Sequence, residues 1–177
     1  MQSIVTALDK RWRERAEDVC GELRAIGLKG MRAAARPRFT YQAAERFEAA
    51  RLELALAGVA AAARKFEAQA AGLGVFAGPE AIVYASIAPS DRLRAMHRLV
   101  WDAMLRLGSG RGAAYAPQTW VPHVALTAGA IPPESLADVQ AVLARHHAGA
   151  WNLRVDNICY VPDVDDPDTD WLRFDLR

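Results

Sequence analysis

The chain has 177 residues, 52% of them hydrophobic and 24% charged, a balance that excludes a disordered or fibrous protein and suits one domain, residues 1–177, with a sizeable core. Its net charge of +1 hides a basic first quarter, where Glu14, Glu17, Asp18 and Glu22 interleave with the cations as on a solvated helix, and an acidic end from Asp163 to Asp175. Cys20 and Cys159 form no CxxC pair, which excludes a disulfide framework and a zinc finger, and the longest apolar run, residues 54–63, is about half a membrane span; a soluble, cytoplasmic protein is expected.

In chain order, residues 3–8 are strand-forming. Trp12, Ala16, Val19, Leu23 and Ile26 then recur at helical spacing until Gly27 offers a C-cap. Residues 37–42 alternate, with Phe39 and Tyr41 on one side and Arg38, Thr40 and Gln42 on the other, which predicts a half-buried strand with a polar face. The Ala-rich stretch 43–63 predicts a long helix. Residues 66–76 and 82–88 predict an antiparallel strand pair turning at Gly78 and Pro79. Pro89, Ser90 and Asp91 signal a helix start before the apolar stripe Leu93, Met96, Val100, Trp101, Met104 and Leu105. The glycine-rich stretch 108–119 reads as a loop, and 120–127 as a strand with Val124 and Leu126 on one face and His123, Ala125 and Thr127 on the other. A helix from Pro132 to about His147 follows, then strands at 151–161 and 170–176 around an Asp-rich turn. The order predicts an α+β fold that is two-lobed and pseudo-symmetric, with two antiparallel sheets forming a central cleft and helices on their outer faces.

Arg36-Pro37-Arg38-Phe39-Thr40 and Val121-Pro122-His123-Val124-Ala125 occupy equivalent places in the two halves, each a proline-led strand with one polar face. Here the chain resembles the two-histidine phosphoesterases, the group of 2'-5' RNA ligases and 2',3'-cyclic phosphodiesterases, whose hallmark is two HxT or HxS motifs on neighbouring central strands. The run Gly72-Leu73-Gly74-Val75-Phe76 and the helix carrying His97 extend the resemblance over nearly the whole element order. On a strand, residues i and i+2 share a face about 6 to 7 Å apart, so one imidazole and one hydroxyl can address the same phosphate and two such strands can bracket it with a base and an acid. The resemblance implies that chemistry with no metal and no cofactor, on a nucleotide or RNA terminus with a 2',3'-cyclic or 2'-phosphate.

Both motifs are half retained: Arg38 stands at the first histidine position with Thr40 kept, and His123 is kept with Ala125 at the second hydroxyl position. Arginine cannot transfer protons at working pH, but its planar fork suits a phosphate. The resemblance therefore implies His123 as the sole general acid or base, and Arg38 and Thr40 as phosphate ligands. Thr127 and Gln42, read as one pleat further along, are candidates to replace the missing hydroxyl. Arg111 and Tyr115 are candidates to close over a nucleotide. His97, His146 and His147 read as structural, and the Asp163–Asp170 run, lacking the glycine and glutamate of a calcium loop, as a solvated turn. Two functions stay open, a weakened phosphodiesterase and a phosphate-binding or regulatory module without turnover; a scaffold without a ligand is a third.

Overall fold

The computed structural model describes residues 1–146, 151–166 and 168–177. Its elements are β1 (Gln2–Ala7), α1 (Lys10–Ala25), β2 (Arg32–Ala33), β3 (Arg38–Ala44), β4 (Arg46–Phe47), α2 (Ala49–Ala62), β5 (Phe66–Ala68), β6 (Ala70–Phe76), β7 (Ala81–Ile87), α3 (Asp91–Met104), β8 (Gly108–Ser109), β9 (His123–Gly129), α4 (Leu136–Leu143), β10 (Leu153–Val155), β11 (Asn157–Val161) and β12 (Leu172–Asp175). Local chemistry sets the helix ends. The Asp9 side chain accepts from the Arg11 amide at the start of α1. At its end Gly27, at φ +102°, donates to Arg24 while the Leu28 amide returns to the Leu23 carbonyl, a left-handed termination that glycine alone adopts without strain. Ser90 caps α3 by accepting from the Leu93 amide.

Strand order is β12-β11-β1-β3-β9-β7-β6, with β2 also pairing β9. Every pairing is antiparallel, as the α+β reading requires. The strands expected in two sheets run in a single eight-stranded sheet, beside two short pairs, β10–β5 and β4–β8; β3 and β9 join its halves through the single register pair Phe39 and Val124. The hairpins are also exchanged. β6–β7, from the first half of the sequence, flanks β9, whereas β11–β12, from the end, flanks β1 and β3, so the pseudo-repeat is interleaved along the chain.

One face of the sheet carries Ile4, Phe39, Tyr41, Val83, Val124 and Leu126, which form one core with the buried stripes of all four helices. Each such fully buried aliphatic side chain contributes about 1.5 to 3 kcal/mol. The opposite face carries the smaller cluster Val5, Cys159 and Val161, with Ala7, Val164 and Trp171 against it. Several boundaries differ from expectation; residues 66–76, for one, split at Gln69 into β5, which pairs with β10, and β6, which pairs with β7. α2 starts at Ala49 rather than Ala43, because Ala43 and Ala44 extend β3 by pairing with Ser3 and Gln2 and Arg46 and Phe47 pair with Ser109 and Gly108; long-range pairing overrides alanine's helix preference. Residues 151–161 break at Asp156, where β10 leaves for β5 and β11 for β1. α4 ends at Leu143, and His147 lies outside the described residues.

Candidate functional site

Placing Phe39 opposite Val124 in an antiparallel pair sets Arg38 level with Ala125 and Thr40 level with His123. Phe39 and Val124 are both 0% exposed in the helix-side core, so strand alternation turns Arg38, Thr40, His123 and Ala125 to the opposite face. Both strands then bulge at the same offset. The register of β3 on β1 slips between Thr40 and Gln42, and that of β9 on β7 between Ala125 and Thr127, so Tyr41 and Leu126 are the inserted residues and each polar face ends after its motif.

His123 stands beside Ser86 on β7, so register gives it a hydroxyl neighbour on either strand, Thr40 and Ser86. Its ring is held edge-on by Phe76 at 5.0 Å and Tyr84 at 5.6 Å, two rings themselves stacked at 4.0 Å. His123 Nδ1 donates to the Val121 carbonyl at 2.7 Å. A carbonyl only accepts, so the proton sits on Nδ1 and Nε2 keeps its lone pair. Burial holds the imidazole pKa below its ordinary value, the Val121 bond opposing, which keeps the ring neutral near pH 7.

Arg38 lines a hollow of about 470 Å³ together with Arg36, Ala125, Ala128, Val164 and Trp171. Its guanidinium donates to the Val164 carbonyl at 3.3 Å. Burial lowers its pKa, while Tyr115 and Asp165 draw it back up; it stays charged at neutral pH. Tyr115 is thus electrostatically close to Arg38, its own pKa raised by burial and lowered by that cation. The wall behind is rigid: Trp120 donates from its indole to the Thr40 carbonyl at 3.1 Å, and His97, 2% exposed, stacks on Trp120 at 3.8 Å and bonds the Tyr115 carbonyl. The packed role expected for His97 is what the structure shows.

Register puts Arg38, Thr40 and His123 on one face, while the lining of the hollow includes Arg38 without Thr40, His123 or Tyr115; three other candidates lie off that face. Beyond the β3 bulge Gln42 is level with Ile4 in the core and is 0% exposed. Beyond the β9 bulge Thr127 is level with the core residue Val83; it borders the hollow, but its side chain is 2% exposed and turned from the face of His123. Neither restores the missing hydroxyl beside the motif. Arg111 lies over Trp101 at 5.5 Å and donates to the Leu105 carbonyl, away from the hollow. The Asp-rich segment read as a plain turn instead brings Asp163, Asp165 and Asp166 to the rim. Phe76, from the glycine-containing run 72–76, and Tyr84 and Ser86, from β7, surround His123 without having been expected there; the alternation of Ile82, Tyr84 and Ser86 along β7 is the sequence signal for the last two.

Known structures share this fold. Solved structures of the same fold include Kluyveromyces marxianus Usb1 (10% identity, TM-score 0.57, covering 99% of this chain and 97% of that one). They also include TT0787 of Thermus thermophilus (14%, 0.61, 99% and 94%) and Escherichia coli LigT complexed with 3'-AMP (16%, 0.61, 99% and 96%). No curated protein sequence matches. The sequence profile of the 2'-5' RNA ligase superfamily matches residues 34–166, which include both motif strands. The chain belongs to the 2'-5' RNA ligase superfamily of two-histidine phosphoesterases.

Proposed function

We propose that this chain binds a nucleotide or RNA terminus bearing a 2',3'-cyclic or 2'-phosphate between Arg38, Thr40 and His123, and opens the cyclic ester slowly with one imidazole instead of two. The observation that supports this most is the shared face of Arg38 and His123 across the β3–β9 seam. The neighbour LigT was solved with 3'-AMP and a Kluyveromyces marxianus Usb1 structure with uridine monophosphate, which makes a nucleotide the natural class of ligand. His123 Nε2 takes a proton from water while the water oxygen bonds to phosphorus and one ribose P–O bond breaks. The leaving alkoxide is protonated by solvent, since Arg38 keeps its protons and serves to offset charge on the non-bridging oxygens. Thr40 and Ser86 supply hydroxyl donors on either side of the ring. Replacing one of two proton-transfer groups by solvent costs about 10²- to 10⁴-fold in rate.

A second reading, binding without turnover, is favoured by Arg38 and Ala125, which stand where a proton-transfer group and a hydroxyl would act and can supply neither. Purified protein assayed at high concentration on 2',3'-cyclic mononucleotides and 2'-5' dinucleotides separates the two. We expect turnover that His123→Ala abolishes without loss of binding, and an Arg38→Ala variant whose affinity falls about tenfold or more. Binding without turnover selects the second reading. Turnover unchanged in His123→Ala, or affinity unchanged in Arg38→Ala, contradicts both.

A further inference from the structure

The helix layer, on the far side of the sheet from the cleft, carries a surface that the phosphate chemistry leaves unused. α2 and α3 pack side by side, and a hollow opens at each end of their outer seam. One, of about 470 Å³, joins the end of α2 to the start of α3 over Ala62, Phe66, Ala95 and Leu99. The other, of about 310 Å³, joins the start of α2 to the end of α3 over Leu54, Ala55, Ala103 and Leu105. The two helices therefore run antiparallel. Ala55 and Ala62 are seven residues apart, two turns and about 10 Å along α2, so both hollows lie on one stripe.

That stripe is apolar where solvent is expected. The inward face of α2 is already committed through Leu52, Leu56, Val59 and Ala60, yet Leu54 is 81% exposed and Leu105 43% exposed. Around the apolar floor stand Arg51, Arg64, Lys65, Arg92 and Arg106, against one lining carboxylate, Asp102. Arg51 is paired with Glu48; Arg64, Lys65, Arg92 and Arg106 have no ion-pair partner among the described residues. A second copy docked face to face would set these cations against each other. A nucleic-acid strand would find a single aromatic surface, Phe66, and an aliphatic floor. The complement of this surface is an apolar ridge flanked by carboxylates.

We propose that the α2–α3 seam docks an acidic amphipathic helix of a partner protein. Apolar side chains seven residues apart enter the two hollows, and carboxylates beside them face Arg64, Lys65, Arg92 and Arg106. The test uses the full chain and a labelled synthetic helix of about 18 residues with leucines at i, i+3 or i+4, and i+7 and glutamates elsewhere, followed by fluorescence anisotropy. Saturable binding is expected, weakening about fivefold or more between about 50 and 300 mM salt, and none with the lysine counterpart of the same peptide. Arg64→Glu with Arg92→Glu, both exposed positions, should weaken binding about tenfold or more with an unchanged thermal midpoint; Leu54→Asp should do the same through the apolar floor. Absence of saturable binding, equal binding of both peptides, or insensitivity to these substitutions overturns the proposal. So does tighter, substitution-sensitive binding to phosphatidylserine vesicles or to single-stranded RNA in parallel titrations.

Discussion

Arg38 occupies the place from which a second imidazole would act, on the same face as His123 and level with Ala125. Restoring the motif in place should therefore restore chemistry. Arg38→His with Ala125→Thr is expected to raise turnover of a 2',3'-cyclic nucleotide by about 10²-fold or more over the parent chain, measured as kcat. A pH prediction comes from the two buried imidazoles. Burial lowers the pKa of both His97 and His123 from an ordinary value of 6.5, so the unfolded chain binds more protons than the folded one once the pH falls below that value. Their contribution to stability is complete above about pH 6.5 and is lost as the pH falls toward the folded-state values. Urea melts should show lower stability at about pH 5.5 than at about pH 7.5, and His97→Phe, which keeps a ring against Trp120, should narrow that difference.

At the scale of elements, the alternation of residues 37–42 and 120–127 was enough to place Phe39 and Val124 inward and Arg38, Thr40 and His123 outward. It could not place Gln42 and Thr127, because a bulge depends on the partner strand and inserts a residue that leaves no mark in an alternating pattern. Nor could it show which strands flank the motifs. The walls around His123 come from the β6–β7 hairpin, where Gly74 is level with Tyr84 and a Cβ at Gly74 would meet the Tyr84 ring at 2.8 Å. The glycine is thus what lets Tyr84 lie flat over the edge strand and reach His123. Gly74→Val should push the ring away, cost about 1 to 3 kcal/mol in chemical denaturation, and move the His123 pKa back toward the ordinary imidazole range as water gains access.

At the scale of the whole molecule, the sequence order of elements was legible from periodicity and turn chemistry, but the exchange of hairpins between the halves was not. It is decided by pairings such as Ser3 with Val161, which span nearly the full chain. Asn157, 1% exposed, secures that exchange. Its side-chain oxygen accepts from the Ala7 amide at 2.8 Å, its nitrogen donates to the Ala7 carbonyl at 3.0 Å, and Ala7 is the register partner of Arg38. Asn157→Ala should therefore destabilise the protein by about 1 to 3 kcal/mol, measured by urea unfolding, and weaken nucleotide binding through Arg38. Bringing Arg38 and His123, from opposite halves of the chain, to one phosphate is the claim on which the functional account rests. Its most direct test follows the side-chain nitrogens of the four histidines by NMR during titration with adenosine 2'-phosphate, the His123 signals assigned from their loss in His123→Gln. The account predicts a saturable shift at His123 Nε2, little change at His97, and loss of the response in Arg38→Ala; an unresponsive His123, or an equal response without Arg38, would contradict it.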